Sequence, residues 1–351
     1  MPIRSTRFKS RSSTSTIHGG RHSKWSPSRV ALVALLATIS CLHSWARADR
    51  GVTPEKTKSL HDAIRSGDVT SVETLIGQGA DVRDRRKGWT ALHTAAFWNS
   101  DGVVHALVEA GADLEARDEN GHTPLLISVR RGSPEVARAL IAHGASVEAG
   151  TPDGAGPLHV AANSGFPDSV TVAAIVLEAG VSVNAKDSRG WTPLYVSAMN
   201  GNAPVAQLLL RHGAAIEVRE PVAGWTPLNG ATILGKTDVV ALLLDAGADL
   251  HTRTEGRSTP LHDAAHANHV ETVRLLLDRG AQVNARDIFG KTPLHMAVSG
   301  SERAAVVELL INRGAEVDAE TKSGVTALDV AKKRGDEVLI ELLEAHSAGR
   351  V

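Results

Sequence analysis

The residues best suited to chemistry in this chain are its sixteen histidines, and three of them crowd into one phrase, "HDAAHANH": His262, His266 and His269. Side chains four apart share a helix face, so His262 and His266 have the spacing of a zinc-binding pair. A zinc site needs a third protein ligand as well, and a catalytic one needs an open position. Cysteine does not supply it. The single cysteine, Cys41, lies far away in a basic front segment, so neither an intramolecular disulfide nor a cysteine-based metal site can form. The signatures of nucleophile elbows, zinc proteases, phosphate loops and dinucleotide folds are all missing. Acidic residues are scattered through polar stretches rather than paired within apolar runs, so no general acid/base pair is signalled. The expectation is a non-enzymatic chain without metal or cofactor.

A second set of residues is better placed for recognition. Trp89, Trp191 and Trp225 each stand immediately before a recurring short phrase, and Phe97 and Trp98 follow the first of those phrases. Aromatics are scarce here, at 3% of the chain, so a core must be built from Ala, Leu and Val in thin layers. Tryptophans that such layers do not need are candidates for a binding surface. Arg85, Arg86 and Lys87 lie just before Trp89 and form a basic rim on an acidic body. The competing reading is that an aromatic before the phrase packs on a neighbouring loop.

The phrase itself organises the chain. "GWTALHTAAFWNS", "GHTPLLISVRRG", "GWTPLYVSAMNG", "STPLHDAAHAN" and "GKTPLHMAVSG" are variants of one text. Its opening position falls at Thr90, Thr123, Gly156, Thr192, Thr226, Thr259, Thr292 and Thr326, at intervals of 33 to 36 residues. A degenerate unit without Thr-Pro precedes them at Ser59–Val82. Nine units result, from about Lys58 to His346. Thr suits a helix N-cap and Pro the first helical position, where its missing N–H costs nothing. Leu and paired Ala make an apolar face that lets helices approach closely. Gly132, Gly165, Gly201 and Gly235 are placed to end this first helix in a left-handed conformation. A second helix carries apolar residues at helical spacing, as in Val205, Leu208 and Leu209, and Gly111, Gly144, Gly213, Gly247, Gly280 or Gly314 closes it. An extended stretch with an Asx-type turn, such as "ADLEARDENG", leads to the next unit.

One such unit cannot bury both its faces alone, so a stack is required. The units resemble ankyrin repeats, whose helix-opening phrase is T-P-L-H-x-A; it is intact at Thr259–Ala264 and Thr292–Ala297. The resemblance implies an all-α solenoid of about nine helix-turn-helix repeats with hairpin-like connecting loops. It implies non-catalytic binding of a partner protein, with Trp89, Phe97, Trp98, Trp191, Trp225, Arg85, Arg86 and Lys87 near the concave loop and helix face. It also gives His61, His93, His159, His262 and His295 a local structural role and places His269 where such repeats often carry histidine, leaving only His266 unexplained. Two departures stand out. The fourth unit has Gly156 for Thr and about three extra residues around "GFPDSVTVAA"; the loop before Gly224 is one residue longer, "VREPVAG". Insertions in arrays map to loops, often on the binding face, and the same loops tolerate drift.

The front of the chain reads as an address. Residues 1–48 hold eight Lys or Arg and no acid, which leaves 30 basic against 39 acidic residues in the remainder, a net charge of −9. That acidic remainder has no electrostatic reason to bind nucleic acid or anionic membrane. "VALVALLATISCL", Val30–Leu42, is uncharged, and Ala46 and Ala48 form an A-x-A pattern after it. A basic region, a short apolar run and small residues before a cut make a secretory signal peptide. The run is too short to span a bilayer, and no insertion of the mature chain is expected. Cleavage is predicted after Ala48, leaving a linker over 49–57, the array over 58–346 and a tail over 347–351 in a periplasmic or secreted protein. A transit peptide and a lipidated Cys41 are the competing readings. A secreted effector acting on a foreign protein and an accessory subunit of an enzyme compete with the scaffold.

Overall fold

In a computed structural model, residues 60–300 and 303–347 are described. The predicted signal peptide, Cys41, the cleavage site and the linker lie outside the described residues, as do positions 348–351 of the tail. The described residues hold eighteen α-helices and no strand. They pair as an inner and an outer helix in each of nine units: α1 (Leu60–Arg65) with α2 (Val69–Gly77), α3 (Ala91–Trp98) with α4 (Asp101–Glu109), α5 (Pro124–Arg131) with α6 (Pro134–Ala142), α7 (Pro157–Asn163) with α8 (Ser169–Glu178), and α9 (Pro193–Asn200) with α10 (Ala203–Arg211). The series continues with α11 (Pro227–Ile233) and α12 (Thr237–Asp245), α13 (Pro260–Ala267) and α14 (Val270–Asp278), α15 (Pro293–Ala297) and α16 (Ala304–Asn312), and α17 (Ala327–Arg334) and α18 (Glu337–Ser347). The last helix runs one residue past the predicted end of the array. Inner helices pack on inner, outer on outer, and each inner helix on its own partner. This is the predicted repeat solenoid.

The phrase folds as its residue types require. Thr123 and Thr192 are extended N-caps whose hydroxyls accept from the Leu126 and Tyr195 N–H groups, with Pro next in the chain. Gly132 (φ 64°) closes α5 in the left-handed region, and Asn99 (φ 55°) and Asn268 (φ 63°) do the same for α3 and α13. The fourth unit departs from expectation. Gly165 is not left-handed; α7 ends earlier, on an extended Ser164 (ψ 133°), because the inserted residues leave here. Ala161, Ala162, Ala264 and Ala265 are fully buried, as are Val205 and Leu209 of α10. Small inner residues and branched outer ones thus make a continuous thin core in place of one aromatic-rich centre.

Three polar ladders tie the units together. In the first, histidine Nδ1 accepts the N–H of its own unit's opening residue, while Nε2 donates to a carbonyl of the next unit. His93 reaches His122 O at 3.0 Å, His159 reaches Trp191 O at 2.9 Å, His262 reaches Lys291 O at 3.0 Å and His295 reaches Val325 O at 3.1 Å. Both nitrogens are used and burial holds each pKa below the ordinary value, so these rings are neutral staples. The second ladder is made by arginines. Arg85, Arg117, Arg219, Arg253 and Arg286 each place one Nη1 between a carbonyl of their own loop and a carbonyl of the next loop, at 2.6 to 3.4 Å. In the third, a polar residue after an inner helix reaches back one unit, as Ser100 to Ile64 O and His269 to Ile233 O do. Among the described residues no group of three or more His, Cys, Asp or Glu is arranged to hold a metal ion.

Candidate protein-binding face

The tryptophans do not form one patch. Those of the second unit do come together: the Trp89 and Phe97 rings meet edge-on at 5.1 Å, and Phe97 and Trp98 at 5.5 Å. Trp89 and Phe97 are half-buried, while Trp98 keeps 42% of its surface exposed. Trp191, in the fifth unit, is half-buried against Tyr195 at 5.1 Å and is covered by the Arg189 guanidinium at 4.1 Å. That arginine is in turn held by Asp187 at 2.6 Å and Asp153 at 3.6 Å. Burial also pushes the Tyr195 hydroxyl pKa upward.

Trp225 corrects the sequence reading. It is buried, with 5% of its surface left, and is a packing residue. The longer loop before it gathers on Glu220, whose carboxylate accepts from the Val222, Ala223 and Trp225 N–H groups. Glutamate replaces the aspartate that serves the shorter loops, as Asp187 and Asp287 do for two N–H groups each. The basic rim is also partly structural. Arg85 is one of the loop staples, and the Arg86 guanidinium lies 3.4 Å from Asp62 of the first unit while its backbone pairs with Trp89. Lys87 is exposed on the turn with φ 50°.

The second-unit cluster extends across its neighbours through residues that sequence reading passed over. Arg65, at the end of α1, lies 5.8 Å from the Trp98 ring centroid. Arg131, at the end of α5, lies 4.2 Å from the Phe97 ring and 4.9 Å from that of Phe166. Phe166 belongs to the fourth unit's inserted segment and is 41% exposed. Its position is set by short contacts. Ser164 Oγ donates to Arg130 O at 3.1 Å and accepts the Phe166 N–H at 3.3 Å. Gly132 leaves so little room that a Cβ there would sit 3.0 Å from the Phe166 Cβ. The result is a strip of alternating guanidinium and ring across four units, all at the carboxyl ends of inner helices. The one signal that could have found it is register: Arg65, Trp98 and Arg131 hold the same place in successive units.

A family model described as "Ankyrin repeats (3 copies)" matches residues 31–118, 110–187, 158–254, 224–287 and 261–349. The chain belongs to the ankyrin repeat family. Among curated relatives, a stretch of 85 residues is 39% identical to the mitochondrial disaggregase of Bos taurus, covering 24% of this chain and 12% of that protein. A stretch of 79 residues is 35% identical to ankyrin repeat domain-containing protein 40 of Mus musculus, covering 22% of each. A stretch of 74 residues is 37% identical to human protein phosphatase 1 regulatory subunit 27, covering 21% of this chain and 48% of that protein. The similarity thus spans less than half of each relative's length. Within this ankyrin array, no helix of the described residues is long and apolar enough to cross a membrane.

Proposed function

We propose that this ankyrin protein is an exported, non-catalytic scaffold that binds a partner protein at the carboxyl ends of its inner helices in units two to four. The observation that carries this reading is the pair of exposed aromatics, Trp98 and Phe166, beside a ring cluster that the helical stack does not require. Large aromatics held rigidly at a surface lose little entropy on binding and often dominate interface energies. Four histidine and five arginine staples tie neighbouring units together, which makes the face pre-organised. Export is supported by the basic, acid-free front segment and its short apolar run.

The test uses the full chain as bait in the exported fraction, with cross-linking, and the double variant Phe97→Ala, Trp98→Ala. Loss of the recovered partner by tenfold or more, about 1.4 kcal/mol, with a small change in melting temperature is expected. An unchanged partner on the folded variant would move the binding face elsewhere. For export, sequencing the amino terminus of the mature protein should read from Asp49; a lipid-blocked Cys41 or an uncut leader overturns it. A second reading, an accessory subunit of an enzyme, is favoured by the similarity to a protein named as a phosphatase regulatory subunit. It predicts that the recovered partner is itself an enzyme whose rate this chain changes.

A further inference from the structure

Most arginines of the array spend their N–H groups on protein acceptors. Five staple loop carbonyls, and Arg189, Arg279 and Arg313 reach carboxylates at 2.6 to 2.7 Å. Arg131 is different. Among the described residues it donates no hydrogen bond and has no carboxylate within ion-pair distance. Its guanidinium is instead flanked by Phe97 of the preceding unit at 4.2 Å and Phe166 of the following unit at 4.9 Å. Rings packed on a guanidinium cover its faces and leave the N–H fork, which lies in the plane, to meet an acceptor. The side chain is half-buried, and burial together with neighbouring Arg130 lowers its pKa. A desolvated cation beside another cation is a place where an anion is favoured.

We propose that Arg131, clamped between Phe97 and Phe166, receives a carboxylate side chain of a partner polypeptide, with exposed Trp98 and Phe166 seating an apolar residue next to that Asp or Glu. The planar fork matches a carboxylate with two parallel hydrogen bonds. The apolar shoulders on either side favour an anion carried on a chain with side chains over a free inorganic ion. Charge complementarity points the same way, since Arg65, Arg130 and Arg131 all lie at inner-helix ends on this strip of an otherwise acidic array. The inference rests on the proposed binding face and deepens it by naming the chemistry of the partner.

The experiment is a displayed-peptide selection on the full chain, followed by affinity measurement of the best peptide and of its Gln or Asn counterpart. The expected result is enrichment of Asp or Glu beside an aromatic or aliphatic residue, and about tenfold weaker binding of the amide counterpart. Arg131→Gln should erase that difference. Arg131→Lys keeps the charge and should lose most of it too, because an ammonium has no fork. Circular dichroism melts establish that both variants are folded. Peptides without acids, equal binding of acid and amide forms, or unchanged selectivity in Arg131→Lys overturn the proposal. Displacement of the peptide by equimolar inorganic phosphate also overturns it, by marking a simple anion site. Peptides that bind and discriminate yet ignore Phe97→Ala, Trp98→Ala bind somewhere else, which overturns the parent reading of this face. Peptides lost on that double variant but indifferent to Arg131 leave the face standing and remove only the carboxylate receptor.

Discussion

Replacing Asp263 with Asn should stabilise the protein above neutral pH and remove one component of its pH dependence. Asp263 is buried on α13, with Oδ1 accepting from Ser258 Oγ at 2.9 Å and Oδ2 from Asn229 Nδ2 at 3.3 Å. Both donors are neutral. Burial pushes its carboxyl up to about 7, against the pull of those two hydrogen bonds, from an ordinary value of 3.8. The folded state therefore holds a proton that the unfolded state releases between pH 4 and 7. Stability from this group is fully present below pH 4 and is lost as pH rises through the folded pKa. A rise of about three pH units at 1.36 kcal/mol each corresponds to a loss of about 4 kcal/mol by pH 8. Asn is isosteric and fits the same partners: its Oδ1 accepts from Asn229, and its Nδ2 donates to the rotatable Ser258 hydroxyl. The buried histidines act in the opposite sense, since their lowered pKa values withdraw stability as pH falls below 6.5. The difference between wild type and variant cancels them. Denaturant unfolding of both proteins from pH 4 to 8, with matched m-values, should show curves that meet near pH 4 and separate by several kcal/mol at pH 8. Parallel curves, or a variant weaker than wild type at pH 8, would refute the reasoning by showing that Asp263 carries its charge without cost.

Two further outcomes follow from the packing and the ladders. Trp225→Ala should destabilise the array by about 3–5 kcal/mol, as a large buried side chain does, and leave partner binding by the folded protein unchanged, as read by melting and by pull-down. Arg253→Ala removes hydrogen bonds to Arg257 O at 3.1 Å and Arg286 O at 3.0 Å; a cost of about 1 kcal/mol in denaturant unfolding is expected.

What could be read from the sequence is what repeats locally. The Thr cap, the Pro after it and the buried Ala pair act within one unit, so their types and spacing announce both helix and stack. The local role of the histidines was legible once the phrase was recognised, but not the Nε2 bond to the next unit. What stayed hidden acts between units. Arg85 looked like a basic rim because its carbonyl acceptor, Arg117 O, belongs to the next loop. Trp225 looked exposed because its burial depends on how the longer loop closes on Glu220. Arg131 had only its register with Arg65 and Trp98, and Phe166 carried no signal, since the insertion that supplies it shifts it out of register and only folding returns it to the end of α5.

In a repetitive array the periodic residues build the stack, so function is sought among departures from the period. The departures here fall into two kinds. Some are absorbed by neighbours. Asn229 stands where other units have histidine and is too short for the next unit's carbonyl, so it donates to Asp263, which Ser258 also satisfies. Glu220 and its extra loop residue are likewise balanced by the N–H groups they gather. The polar groups of these changes answer one another inside the array, although Val222 of the longer loop stays 67% exposed. The other kind is uncompensated. Trp98 and Phe166 keep two-fifths of their surface in water, and the cation between their units has rings beside it and, among the described residues, no acceptor. A stack selected for stability alone has no use for an unanswered guanidinium among exposed rings. Among the described residues nothing completes such a group, and that is the physical reason to look for the partner there.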